Sequence, residues 1–323
     1  MIKKGKVLVI GGTGHIGSFL VPMLVSEDYE VAVLSRGLTR PSSQNFLFSR
    51  VYTETIDRAR DEQDGQLQEI IRKHEPEAII DLICFEPRSA DYLIDLLSGT
   101  DTLLLSCGTA WVYGPVQKVP VEENHPRSPL NDYARKKVLI EERLLQACHA
   151  GKFPVVLIHP GHITGAGKTF VTPFGDHNPE TLQRIIDGEE IFLLDGGFST
   201  LHHVHPFDVA QLFVKALKHR KKATGESFNC GASHAMTFYG MGVFFASLFG
   251  RELRFKCIQL EDYAELFGFP KEAYHHVRQG CCMSIEKARE LLSFQPVYSP
   301  ERAIIDATNY LLQQGVLKVK NDE

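Results

Sequence analysis

Tyr133 and Lys137 stand as Tyr-x-x-x-Lys in Asp132-Tyr-Ala-Arg-Lys-Lys137. Four residues make about one helical turn, so the phenol and the ammonium share a face and the positive charge favours a phenolate beside it. A tyrosine of ordinary pKa, about 10, is a poor base at neutral pH; a neighbouring cation brings it towards the working range. The same spacing occurs on solvated surface helices and points to chemistry only in company. That company is Gly11-Gly-Thr-Gly-His-Ile-Gly17 near the start of the chain, directly after the apolar run Lys6-Val-Leu-Val-Ile10. Gly11 permits a tight turn, Gly14 lets backbone approach a pyrophosphate, and Gly17 lets the following helix pack closely on a sheet. The amides at that helix start face an anionic diphosphate, where the helix dipole also favours negative charge.

These residues need a scaffold, and the hydrophobic pattern supplies one. Short β-branched runs are expected as strands at 6–10, 30–34, 50–55, 78–82, 102–106 and 155–158, with helices at 16–26, 65–73, 89–97 and 132–150. Pro22 marks an early irregularity in the first helix. Strands buried on both faces and separated by helices require crossovers, hence a parallel sheet. The fold class is α/β, a doubly wound parallel (Rossmann) sheet with a smaller, mostly helical substrate lobe. The expected division is residues 1–165 for the dinucleotide-binding domain, with segments near 203–231 returning to it, and 166–323 for a discontinuous substrate lobe.

With 323 residues, 43% hydrophobic and 23% charged, the composition is that of an ordinary globular chain. A net charge of -5 gives no reason to expect nucleic acid or a membrane surface as partner. The basic run Lys218-His-Arg-Lys-Lys222 falls where a helix ends and suits the helix dipole. Seven scattered cysteines, with Cys281-Cys282 adjacent, fit a reducing cytosol and a cytoplasmic protein. The glycine cluster interrupts the early apolar run too soon for a secretion signal, and no later stretch reaches membrane-spanning length.

Ser35-Arg36 ends the second strand, where an acid would hold an adenosine ribose. An arginine there suits a 2'-phosphate, which favours NADP over NAD as the NAD(P) cofactor. The alternative reading takes Arg36 as a solvated residue of a polar loop that also holds Arg40.

Motif by motif, the chain resembles the extended short-chain dehydrogenase/reductases, the NAD-dependent epimerase/dehydratase family. Gly11 to Gly17 matches Gly-x-x-Gly-x-x-Gly, and Asp57 matches the acid that meets the adenine. Asp81-Leu-Ile-Cys84 stands where the fourth strand passes the cofactor. Cys107-Gly-Thr-Ala-Trp-Val-Tyr-Gly114 resembles the segment carrying the active-site hydroxyl, which places that hydroxyl on Thr109. Val119 to Pro129 resembles the acidic, proline-bearing loop before the tyrosine. His203-Val-His-Pro-Phe-Asp-Val-Ala210 and Phe228-Asn-Cys-Gly231 resemble two further motifs. The resemblance implies Thr109, Tyr133 and Lys137 as catalytic residues. Tyr133 exchanges a proton with a substrate hydroxyl while hydride moves between the same carbon and the nicotinamide. Thr109 orients the oxygen, and Lys137 also holds the nicotinamide ribose. The expected cofactor contacts are Gly11, Thr13, Gly14, His15, Ile16, Gly17, Ser35, Arg36, Asp57, Leu82, Lys137 and Pro160.

Departures from the family pattern narrow the subclass. The Asp-Glu pair of sugar-nucleotide dehydratases is replaced by Ala110-Trp111, so elimination of water lacks its acid and base. Leu201 stands where several epimerases carry a diphosphate-gripping arginine; Arg278, Arg254 or Lys168 are the substitutes at hand. His159-Pro160 replaces Arg-Pro. Histidines 159, 162, 202, 203 and 205 make the pocket rim polar, most of them as ordinary hydrogen-bonding residues. His202-His-x-His205 has no cysteine or carboxylate nearby in sequence to complete a zinc site, so no metal is expected. Trp111, His162, Lys168, His202 and Arg278 are the expected substrate contacts. The leading expectation is a sugar or sugar-nucleotide epimerase. The alternatives are an NADPH-dependent carbonyl reductase and, more remotely, a non-catalytic dinucleotide sensor. A homodimer through the helices at 89–97 and 132–150 is also expected.

Overall fold

The computed structural model describes residues 4–38 and 46–319. Seven parallel strands form the central sheet: β1 (Lys6–Ile10), β2 (Glu30–Ser35), β3 (Tyr52–Thr55), β4 (Ala78–Asp81), β5 (Leu103–Cys107), β6 (Val155–Pro160) and the strand Ser227–Cys230. Their order from one edge is Ser227–Cys230, β6, β5, β4, β1, β2, β3. β1 pairs with β2 on one side and β4 on the other, Val9 lying opposite both Val33 and Ile80. The strand order reverses there, and a crevice at the carboxyl ends follows, the usual ligand position in such sheets.

The sheet buries both faces because its strands are apolar on both. One face packs on α1 (Gly17–Ser26) and the helix Pro206–Lys218, through Leu20, Leu24, Val209 and Phe213. The opposite face packs on α3 (Gln66–His74), α4 (Pro87–Leu97) and α5 (Asp132–His149), through Leu67, Leu93, Ile140 and Leu144. The doubly wound sheet expected from the sequence is therefore present. Its strands lie within about two residues of the expected spans, and Pro22 lies inside α1 instead of ending it.

One helix was not expected. α2 (Arg58–Gln63, sequence Arg-Ala-Arg-Asp-Glu-Gln) has no apolar stripe. It is fixed by charge: Arg58 donates to Glu62 and to the buried Asp81, both at 2.6 Å.

A third core, around Phe170, Leu182, Phe238, Phe245, Ile304 and Leu311, builds the smaller lobe. Helices dominate it, with short ladders between Ile191–Leu194 and Phe255–Ile258 and between Thr200–Leu201 and Met236–Thr237. His162–Ile163 pairs with His203–Val204 where the chain leaves β6. No helix among the described residues is long and apolar enough to cross a membrane.

Candidate active site

A cleft of about 590 Å³ opens at the carboxyl ends of β1, β4, β5 and β6. Its lining joins the glycine loop (Gly11, Gly14, His15, Ile16, Gly17) to Leu82, Thr109, Tyr133, Lys137 and Pro160, and to Trp111, His162 and Lys168 further out. Gly11 makes its turn at φ 85°, in the left-handed region. At Gly17 a Cβ would lie 2.4 Å from the carbonyl oxygen of Gly12, so a side chain would force the start of α1 away from the loop. A dinucleotide fits this edge: the loop backbone is stripped of side chains where a diphosphate must approach, and α1 begins against it.

The floor of the cleft is set by α5 and β5. The Asn131 side chain caps α5 by accepting the amide of Ala134 at 2.8 Å, which puts Tyr133 in the first turn and Lys137 one turn later. Lys137 is buried and donates from Nζ to the Cys107 carbonyl at 2.6 Å, so its charge is anchored to the end of β5. Nζ lies 5.9 Å from the centre of the Tyr133 ring and 5.0 Å from that of Phe85. Burial of its hydroxyl pushes the Tyr133 phenol up to about 12, helped by the nearby Cys107 thiol and opposed by a hydrogen bond with Thr109. The lowered phenol expected from the Tyr-Lys spacing is thus not a property of the protein alone. The residue as a whole keeps 41% exposure, so the desolvation bears on its hydroxyl and not on the entire side chain.

Thr109 is held from behind. Its backbone amide donates to His159 Nδ1 at 3.2 Å, and its hydroxyl accepts the Trp111 amide at 3.3 Å. With Nδ1 accepting, His159 carries its proton on Nε2, 3.6 Å from Glu141. Arg127 pairs with the other Glu141 oxygen and donates to the Glu123 and His125 carbonyls. Burial works against the Glu141 carboxylate, yet the imidazole and the guanidinium hold its pKa down at about 2. His159 thus supports Thr109 from the place where the family pattern has arginine.

Several expected contacts lie elsewhere. His202 is buried, donating from Nε2 to the Ala232 carbonyl at 3.0 Å and accepting the Met283 amide on Nδ1 at 2.9 Å. Both ring nitrogens are used, so it has nothing to offer a substrate. Arg278 is an exposed residue paired with Glu261 at 3.2 Å, and Arg254 donates to the Gly188 carbonyl; of the three cations considered, Lys168 is the one that lines the cleft. His203 meets Thr164, while His205 caps the helix Pro206–Lys218 and pairs with Asp306, so both are structural. Thr13, Ser35, Arg36 and Asp57 do not line the cleft. Arg36 and Asp57 are exposed near the edge of the sheet, Asp57 at the start of α2, and Arg40 lies outside the described residues.

Sequence reasoning found Trp111 and His162 on the outer wall but missed the rest of it. His177, Glu272 and His276 line the cleft beside Trp111 and His162. His177 Nδ1 meets Glu272 at 2.5 Å across 95 residues of sequence, and Gln279 donates to the Ala110 carbonyl at 2.8 Å, tying the helix Lys271–Gln279 to the Thr109 segment. The adjacent His275-His276 on that helix was the available signal.

Doubly wound sheet, glycine loop and floor together define a dinucleotide-binding α/β enzyme. The model of the NAD dependent epimerase/dehydratase family matches residues 7–231, and the chain belongs to that family. It is 25% identical to a UDP-glucose 4-epimerase of Streptococcus mutans, over 93% of this chain and 94% of that one. It is 27% identical to a 2'-dehydrokanamycin reductase of Streptomyces kanamyceticus, over 72% and 63% of the two chains. The structure of a UDP-glucuronic acid 4-epimerase from Bacillus cereus, in complex with UDP-glucuronic acid and NAD, superposes with a TM-score of 0.74 at 18% identity, covering 96% of this chain and 99% of that one.

Proposed function

We propose that the protein is an epimerase-type oxidoreductase acting on a sugar or sugar-nucleotide alcohol, with Tyr133 as its acid and base. The observation that carries this reading is the meeting of Thr109, Tyr133 and Lys137 with the glycine loop in one cleft. A nicotinamide dinucleotide, when bound, supplies the hydride acceptor and donor. Tyr133 takes the proton of the substrate hydroxyl and returns it to the carbonyl oxygen. Thr109 holds that oxygen by a hydrogen bond, its own position fixed through His159. Lys137, fixed on Cys107, keeps a positive charge under the phenol; adding the charge of an oxidised ring is what brings a phenol near 12 down to a working value.

Cofactor choice turns on Arg36. The guanidinium at the end of β2 favours NADP, while NAD in the Bacillus cereus neighbour counts for the unphosphorylated form. A two-lobe division near residue 165 and a homodimer through α4 and α5 complete the reading. A second reading, one-way reduction of a carbonyl, is favoured by the 2'-dehydrokanamycin reductase among the relatives. Turnover with catalytic rather than stoichiometric dinucleotide separates the two. Intact function in Tyr133→Phe would reject both and leave a dinucleotide sensor.

A further inference from the structure

Four aromatic side chains form a wall on the outer side of the cleft. The His276 ring centre lies 4.9 Å from that of Trp111, 5.1 Å from His162 and 5.6 Å from His177, and Trp111 and His162 are 5.5 Å apart. His162 is 9% exposed and lines the cleft, and its two ring nitrogens lie buried without a hydrogen-bond partner. A buried polar group is rarely left so without reason, because each unmet donor or acceptor costs free energy. Burial and the surrounding histidines hold His162 well below the ordinary imidazole value, and burial brings His276 down to about 4. At neutral pH His162 and His276 are therefore uncharged, and at the edge of the wall His177 meets Glu272 at 2.5 Å.

We infer that this wall is the subsite for an uncharged, hydroxyl-bearing sugar ring, and that it discriminates against a ring carrying a carboxylate. This rests on the reading of the cleft as a sugar oxidoreductase site and adds the class of sugar. A neutral imidazole offers one N–H donor and one acceptor nitrogen. A hydroxyl can serve either; a carboxylate, an acceptor only, leaves the second nitrogen unmet and brings its charge towards Glu272. The Trp111 indole gives the apolar C–H face of the ring a surface to cover, and its amide bond to Thr109 puts that surface next to the reacting oxygen. Of the two lysines that line the cleft, Lys137 is fixed on the Cys107 carbonyl and the charge of Lys168 is felt by His15 in the glycine loop.

Calorimetric titration of the NAD-loaded protein with UDP-glucose and with UDP-glucuronate compares two probes that differ only at the terminal sugar carbon. UDP-glucose is expected to bind about tenfold tighter or more. His162→Ala should weaken it about tenfold and narrow the ratio, whereas His162→Asn, which keeps a donor and an acceptor, should restore most of both. Trp111→Leu should weaken both probes together. Equal or tighter binding of the uronate, no binding of either probe, or a His162→Ala protein with unchanged affinity overturns the inference. Turnover by Tyr133→Phe instead removes the underlying enzymatic reading and leaves the binding ratio standing, so the two failures are told apart.

Discussion

The floor and the wall of the cleft are built on opposite plans. On the floor the three residues are held in place: Lys137 on the Cys107 carbonyl, Thr109 by its amide on His159, and Tyr133 in the first turn of a capped helix. On the wall His162 has no hydrogen-bond partner, and its neighbours are Trp111 on the Thr109 segment, His177 in a loop and His276 on the helix Lys271–Gln279. Under the proposed mechanism such a floor would serve any alcohol whose carbon reaches it, because the acid, the base and the oxygen are oriented before binding. A wall with open hydrogen-bonding capacity is completed by its ligand. Under the proposed function, reaction type and substrate choice fall to different side chains, and substitutions should separate them.

The largest separation is expected from Tyr133→Phe. Loss of the acid/base group should lower turnover by about 10²–10⁴-fold while dinucleotide affinity, measured by fluorescence or calorimetry, stays within about twofold. Lys137→Met should share the loss of turnover. The two differ in spectroscopy: ultraviolet titration of the phenol should place Tyr133 near 12 in the protein alone and lower once NAD is bound, with a smaller fall in Lys137→Met. A phenol that stays near 12 in the complex would remove Tyr133 as the base.

The support behind the floor gives the next effect. Glu141 titrates at about 2 in the folded chain against an ordinary 4.5, so the folded state binds fewer protons than the unfolded one in between. Its contribution is complete above about pH 4.5 and is lost as pH falls towards 2, on the order of 2–3 kcal/mol. Urea midpoints of the wild type should drop through this window. Glu141→Gln should be destabilised at pH 7, because Arg127 loses its buried counter-charge, and its acid limb should be flatter. A wild-type midpoint that does not fall between pH 5 and 3 would contradict the network. The wall should be untouched, with His162-dependent sugar binding retained.

The same contrast explains what could be read in advance. β1, β2, β4, β5 and β6 are buried on both faces, so their apolar runs stand out in the sequence, and the floor residues occupy motifs of short, fixed spacing. α2 was hidden because charge pairing with Asp81 holds it, which leaves no hydrophobic period to see. The two-residue ladders are too short to carry a pattern. His177 and Glu272 meet across the lobe, and no local spacing announces such a pair. His202 misled for the opposite reason: a histidine-rich run looks like a pocket rim, yet backbone groups of Ala232 and Met283 had already taken both of its nitrogens. Arg278 looked like a replacement phosphate ligand, but the helix that brings His276 into the cleft turns Arg278 outward to Glu261.

Arg36 gives the smallest and sharpest test, since it belongs to neither floor nor wall. It is exposed at the end of β2, where screening weakens a single guanidinium–phosphate pair. If it holds a 2'-phosphate, Arg36→Ala should reduce NADP affinity about three- to tenfold, leave NAD within about twofold, and lose most of that difference in high salt. Equal losses for both dinucleotides would show the side chain acting on the loop rather than on the phosphate. An unchanged NADP affinity would assign Arg36 to the solvated surface and leave NAD as the natural partner of the cleft. In each case turnover per bound dinucleotide should stay constant, because Arg36 does not line the cleft that holds Tyr133, Thr109 and Lys137.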